Sequence, residues 1–381
     1  MKRGTTGSAN AVRRDPRLTG LLGDMTAAAV STMVMLCYAM SLGTMIFSAD
    51  LARYAALGVP TALVSCVVTA LVIALTSSMR MNIGGPDSNA TAFLAGVAAG
   101  VASSVRADGG SPQMILLTVL VAIAVCSIVT GVILYAIGSS RRSRSLQFLP
   151  YPVVGGFLAG TGYLLLAGAF RVLTGEAPHW RTLLALLAHL HWLAWTPAVI
   201  VGVLLTILSR VCNHAAVLPL TLASGVGLFY VMLFAAGLSI DDAHHMGLLL
   251  AHVPLRSLQI PELHLPTSLA SLGHGDIDWS AIGAHLLETL VVTSVAAITI
   301  LMNSTAIGAA TGDDIDLNRE MRAAGLANIA SGMLGGMVGY QSFNRSLLNM
   351  RAGATSRMAG VIASLACLLL LAVAPDLVAL F

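Results

Sequence analysis

Ile83-Gly84-Gly85-Pro86-Asp87-Ser88-Asn89-Ala90-Thr91 and, far downstream, Gly335-Gly336-Met337-Val338-Gly339-Tyr340-Gln341-Ser342-Phe343-Asn344-Arg345-Ser346 decide the fold. In each, a glycine-rich break is followed by small polar residues of the kind that begin helices. A short apolar segment then starts, over 88–103 in the first case and 344–350 in the second. Asn89 aligns with Asn344, and Thr91 with Ser346, two residues on in both.

The rest of the 381-residue chain is apolar to an extent that excludes an ordinary soluble protein. Hydrophobic residues make up 57% and charged residues only 10%, against about 25% charged in soluble domains. A net charge of +3 forms no basic face, so nucleic acid is excluded as a partner. The apolar runs are too long for the alternating segments of a membrane barrel, which leaves a polytopic bundle of helices in a lipid bilayer. Allowing about 20 residues per span, the sequence predicts eleven. They lie over 21–47, 60–77, 88–103, 112–138, 152–170, 193–209, 215–238, 282–302, 323–338, 344–350 and 354–374. Placing the N-terminus inside puts 14 of the 20 Lys and Arg in inner loops and five in outer loops, with Arg345 left in a span. That asymmetry predicts a multi-pass inner-membrane protein with a cytoplasmic N-terminus.

The five cysteines all sit in apolar runs without metal-ligand spacing, and read as small buried residues. The long outer loop, 239–280, holds His244, His245, His252, His264 and His274 at irregular spacing and reads as solvated, as does His189-x-His191. Asp313-Asp314-Ile315-Asp316 reads as an inner loop. No nucleophile–base pair, metal site or cofactor motif points to an enzyme.

The third span and the third span counted from 282 carry the two breaks. Seven spans separate the starts of the two sets, an odd number, so the sets are inverted in the membrane. The boundaries this predicts are a tail over 1–20, a first repeat of seven spans over 21–238, the loop over 239–280, and an incomplete second repeat of about four spans over 281–381. Paired broken helices whose N-termini meet at the midplane are the site architecture of secondary transporters. Such an N-terminus leaves about four N–H groups unpaired and carries positive partial charge, which suits an anion. The candidate ligands are Ser88 and Asn89 from the first half-helix and Ser342, Phe343, Asn344 and Arg345 from the second. Arg345 adds a full charge at membrane depth, where ionisable groups mark function. The plainer alternative is two ordinary helices kinked by Gly and Pro, with Arg345 reaching for an interface.

At these residues the chain resembles the sulfate permease (SulP) family of anion transporters. The resemblance runs through Phe148-Leu149-Pro150-Tyr151-Pro152-Val153-Val154-Gly155-Gly156-Phe157, Asp316-Leu317-Asn318-Arg319-Glu320 and Gly325-Leu326-Ala327-Asn328-Ile329. It continues in Ser342-Phe343-Asn344-Arg345-Ser346 and Ala352-Gly353-Ala354. It is similar to a divergent bacterial subgroup, some members of which carry cyclic-nucleotide-binding domains. The resemblance implies a fold of seven plus seven inverted spans, with a core bundle moving against a gate bundle, and a dimer. It also implies that the last three spans and the usual cytoplasmic STAS domain are missing after Phe381, as in a fragment or split gene. Met33-Val34 stands where the family has a Pro-Gln pair that contacts the anion. Thr299 and Asn303 occupy the expected place of an acidic residue in the eighth span and are further candidate ligands. Glu288 lies about three turns earlier.

The function these readings support is secondary active transport of a small anion, such as sulfate, bicarbonate or a carboxylate, by alternating access. Asp87 and Glu288 are the candidates to carry a coupling H+ or Na+. The first alternative is an amino acid on the same fold, its ammonium on Asp87 and its carboxylate on Arg345. The second is a non-transporting fragment.

Overall fold

The computed structural model describes residues 16–140, 151–176, 179, 192–212, 217–246, 248–249, 277–312 and 314–373. They form helices α1 (Pro16–Ile46), α2 (Ala55–Thr76), α3 (Ser88–Ala107), α4 (Pro112–Ser139), α5 (Tyr151–Thr174), α6 (Trp192–Val211) and α7 (Val217–Ala235). After a short α8 (Ile240–His245) come α9 (Trp279–Ala284), α10 (Leu286–Thr311), α11 (Leu317–Met333), α12 (Phe343–Arg351) and α13 (Met358–Val373). Two three-residue strands, β1 (Gly84–Pro86) and β2 (Gly339–Gln341), precede α3 and α12. All eleven expected spans fall on helices. Six of these (α1, α2, α3, α4, α7 and α10) are long and apolar enough to cross a membrane. Most of the histidine-bearing loop, including His252, His264 and His274, lies outside the described residues, as do His189 and His191.

Local chemistry explains where the boundaries depart from the hydropathy reading. Hydropathy places the ninth span over 323–338, but α11 begins at Leu317, because the Asp316 carboxylate accepts from the backbone N–H groups of Asn318 and Arg319. It ends at Met333, ahead of Gly335 at φ +80°, a conformation open to glycine, and residues 334–338 are unwound. The last span starts at Met358 rather than 354. Gly353 takes φ +105°, and the turn after it is held by Asp24 of α1. That carboxylate accepts from Thr355 N (2.6 Å), Ser356 N (3.1 Å) and both hydroxyls.

The same contacts show the inversion. The C-terminal end of α3 meets the start of α10 through Ser104 and His285 (3.1 Å) and the turn after α1 through Arg106 and Asp50 (2.6 Å). The C-terminal end of α12 meets the start of α1, where Thr26 donates to the Ala352 carbonyl (3.2 Å). From a shared middle, then, α3 and α12 run to opposite ends of one bundle. The large buried core lies among α1–α4 and α10–α13. A small separate cluster joins α6, α7 and α8 around Leu193, Leu233 and Ala243.

Glycine sets the closest approach in that core. The most extensive helix contact is α4 against α11. Gly131 and Gly138 of α4 face Gly325, Ile329 and Arg322 of α11, with backbone against backbone. Lipid supplies no hydrophobic drive between helices, so close van der Waals packing through small residues carries the association. A Cβ on Gly325 would lie 2.6 Å from Tyr135 N and 2.8 Å from the Gly131 carbonyl. Gly325→Val is therefore expected to push the helices apart at about 1–3 kcal/mol or more, read as a lowered unfolding midpoint in detergent. Gly96→Ala, which meets open space inside α3, should not lower the midpoint, since Ala is the better helix former.

Candidate functional site

Strands β1 and β2 pair antiparallel in mid-bundle, with Gly84 opposite Gln341, Gly85 opposite Tyr340 and Pro86 opposite Gly339. A two-fold relation centred on Gly85 and Tyr340 carries Asp87 onto Ser342, the residues that start the two half-helices. Their backbones match: Asp87 has φ −111°, ψ 135° and Ser342 has φ −113°, ψ 132°. Asn89 and Asn344 are each two residues beyond the cap, and Thr91 and Ser346 four. The half-helices differ in length, 20 residues for α3 and nine for α12.

Breaking two helices inside a bundle frees backbone groups that lipid cannot satisfy. Side chains from five helices take them up. Asn328 of α11 donates to the Gly339 carbonyl (2.8 Å) and accepts from Gly339 N (2.9 Å). Ser65 of α2 and Ser331 of α11 both donate to the Met337 carbonyl, and Ser127 of α4 donates to the Gly336 carbonyl. Asn303 of α10 donates to the Gln341 carbonyl (3.0 Å). Arg345 of α12, only 3% exposed, donates to the carbonyls of Pro86 (2.9 Å), Gly85 (3.2 Å) and Tyr340 (3.4 Å). Its guanidinium also lies 5.5 Å from the centre of the Tyr38 ring of α1. Gly85 is needed there, since a Cβ would come within 2.9 Å of that guanidinium.

The two helix N-termini are treated differently. At α3 the Asp87 Oδ1 atom accepts from Asn89 N (2.9 Å) and Ala90 N (3.4 Å), and also from the Tyr340 hydroxyl (2.7 Å). At α12, among the described residues, the cap side chain makes no bond to the helix. The positive end of α3 is thus neutralised by an acid, while that of α12 is open, with the Arg345 charge in its first turn.

The structure brings most of the expected residues to this junction and gives several of them other tasks. Ser342 is the N-cap of α12, but the cap of α3 is Asp87 rather than Ser88 or Asn89, because a carboxylate is the stronger acceptor. Ser88, Asn89 and Phe343 are half-buried and Asn344 is exposed. Thr299 is buried against the Tyr340 hydroxyl, and Asn303 braces β2. Arg345 commits both terminal nitrogens to backbone carbonyls, while its buried Nε has no hydrogen-bond partner among the described residues. Glu288 does not join the junction; it sits in the first turn of α10 beside His285 (3.4 Å), with half its side chain exposed. Among the described residues no cluster of three or more His, Cys, Asp or Glu gathers to hold a metal ion.

Sequence reasoning missed Asn82, and Tyr340, Gln341, Asn328 and Glu320 entered only as parts of quoted motifs. Tyr340, Gln341 and Asn328 share a signal, a polar residue within an apolar segment that at membrane depth must have a partner, whereas Asn82 and Glu320 lie in polar stretches.

A family model described as the sulfate permease family matches residues 21–381. The vacuolar basic amino acid transporter VSB1 of Saccharomyces cerevisiae is 25% identical over 303 residues, 77% of this chain and 28% of the relative. The putative sulfate transporter YbaR of Bacillus subtilis is 24% identical over 250 residues, 65% of this chain and 45% of the relative. The chain thus spans less than half the length of either. The solved transmembrane domain of a cyanobacterium bicarbonate transporter, BicA, superposes with a TM-score of 0.67 at 20% identity, covering 95% of this chain and 84% of that one. That likeness is one of fold, an inverted-repeat bundle of membrane helices.

Arg345→Ala would leave the three carbonyls of Gly85, Pro86 and Tyr340 short of donors in a buried place. An unsatisfied buried group costs about 1–3 kcal/mol, so the unfolding midpoint should fall clearly. Arg345→Lys, a single point charge without the planar fork, should recover part of the loss. Thermal unfolding of the purified variants in detergent checks the order wild type, Lys, Ala.

Proposed function

The chain belongs to the sulfate permease family, and on that footing we propose that it moves a small anion across a membrane by alternating access. Sulfate, bicarbonate and a carboxylate are the substrates of matching charge and size. The observation that carries this reading is the uncapped N-terminus of α12 facing a capped one. The backbones of Asp87 and Ser342 are near duplicates, yet only the α12 end keeps its N–H groups free of a side-chain cap. Phe343, Asn344 and Arg345 offer backbone donors there, Ser88, Asn89, Ser342 and Asn344 offer polar side chains, and the Arg345 charge stands behind them. Thr299 and Asn303 act at one remove, through Tyr340 and β2.

In this proposal the first repeat spans 21–238 and the second begins at 281, with the N-terminus cytoplasmic. The coupling ion, H+ or Na+, is assigned to Asp87, since Glu288 stands away from the junction. A homodimer rests on the family resemblance.

One observation favours a second reading, an amino acid as substrate. The three hydrogen bonds to Asp87 all end on Oδ1, which leaves Oδ2 for a cation such as an ammonium group. A relative named as a basic amino acid transporter adds weight.

Asp87→Asn separates the readings, since Asn keeps the cap and removes the charge. For an inorganic anion the variant should bind at least as tightly as wild type, with the coupling-ion dependence abolished. For an amino acid it loses the counter-charge, at about 3–5 kcal/mol, and the Kd should rise more than a hundredfold. Calorimetric titration of wild type and variant with sulfate, bicarbonate and lysine reads both. Lysine binding lost in the variant, with neither anion bound by wild type, would replace the first reading by the second.

A further inference from the structure

Glu320, in the first turn of α11, is fully buried, and the proposed transport mechanism gives it no part. Its carboxylate accepts from Ser77 Oγ (2.9 Å to each oxygen), Ser78 N (2.7 Å), Ser78 Oγ (2.6 Å) and Asn82 Nδ2 (3.3 Å). Every donor lies in the turn that leads from α2 into β1. Arginines brace the end of α2 around it: Arg319 donates to the Thr76 carbonyl (2.8 Å), and Arg357 to those of Ala74 (2.6 Å) and Ser77 (2.8 Å).

Asn82 carries the contact onward. Its Oδ1 accepts from Ser346 Oγ (2.6 Å), and Ser346 Oγ in turn accepts from Ile83 N (3.1 Å). Ser342 N donates to the Ile83 carbonyl (3.2 Å). The two bonds at Ile83 together tie the first turn of α12 to the residue just ahead of β1. A continuous chain of hydrogen bonds, Glu320–Asn82–Ser346, therefore runs from the end of the bundle to the open helix N-terminus. Its polarity is fixed by the carboxylate. An acceptor at position 320 turns the Asn82 amide so that Nδ2 faces Glu320 and Oδ1 faces Ser346.

We propose that Glu320 is a positioning residue for the anion site, orienting Asn82 so that Ser346 and the N-terminus of α12 are held in register with β1. The proposal rests on the reading of that N-terminus as the anion site. Removing the acceptor at 320 should loosen the junction where the anion binds without unseating α11, which keeps its Asp316 cap and its glycine contacts with α4.

The test is a swap on the full chain purified in detergent. Glu320→Gln places an amide donor against the Asn82 donor, and Asn82→Asp places two carboxylates together. The double variant restores one bond with reversed polarity: the new amide at position 320 donates to the new carboxylate at position 82, which can still accept from Ser346. Asp24→Asn weakens a different clasp at the same end of the bundle and serves as the structural control. Sulfate and bicarbonate are titrated calorimetrically, and amide hydrogen exchange is followed over 83–91 and 342–346. The expected result is that Glu320→Gln raises the Kd about tenfold or more, as for a lost buried bond to a charged group, and speeds exchange in both segments. The double variant should recover most of both effects, while Asp24→Asn lowers the unfolding midpoint with Kd unchanged. Glu320→Gln acting as Asp24→Asn does, on the midpoint alone, would overturn the proposal, as would a double variant no better than Asn82→Asp. If wild type binds neither anion, the anion reading fails by itself. Unchanged exchange over 83–91 and 342–346 in Glu320→Gln would then count against the positioning role separately.

Discussion

A helix interrupted inside a membrane bundle leaves N–H and C=O groups that neither lipid nor water can satisfy, and the rest of this structure depends on how that requirement is met. Strands β1 and β2 meet it first by pairing with each other. The groups left over draw Ser65, Ser127, Asn303, Asn328 and Ser331 inward from four long helices. Arg345 completes the set from α12 itself. Few of these side chains would be tolerated in a continuous apolar helix packed against lipid. They are present because the break is present.

The break also makes the chemistry. Two helix N-termini brought together in a dry interior form a strongly positive place, and left alone they would repel each other. Asp87 cancels one of them and is itself held by Tyr340, which comes from the other half of the molecule. The result is one neutralised end, one open end, and a buried guanidinium between them. In the proposed function, an electrostatically uneven junction of this kind gives a single anion a preferred side, while the three bonds to Asp87 all fall on Oδ1. A symmetric pair of serine caps would provide no such preference.

Two carboxylates clasp the end of the bundle where α1 starts and α2 stops. Asp24 fixes the turn after α12, and Glu320 fixes the turn before β1. Each carboxylate belongs to a helix other than those it clamps. Only the Glu320 clasp connects onward to the junction, through Asn82 and Ser346; the Asp24 clasp holds the turn between α12 and α13. Close glycine contacts between α4 and α11, and between α1 and α2 at Gly43 and Gly58, keep the frame around the half-helices tight.

The membrane class, the segments that become helices and the alignment of Asn89 with Asn344 are all legible in the amino-acid order. They follow from local properties: hydropathy over a window, glycine and proline at breaks, and cap residues at helix starts. Arg345 is legible too, because a charge in an apolar span stands out without any knowledge of its neighbours. Which groups meet is settled by packing alone. Asp87 reads as an acid at a helix mouth, but Tyr340, 253 residues away, makes it a shared acceptor. The three carbonyls that occupy Arg345 belong to strands no hydropathy pattern predicts, since a three-residue strand has no periodicity to read. Glu288 looks equal to Asp87 as a buried acid, yet the turn at His285 leaves it half exposed at the start of α10. Glu320 looks like part of a polar loop, yet the Asp316 cap winds it into α11 and buries it completely. Burial of a single acid depends on the helices packed around it, and that packing is a property of the whole chain.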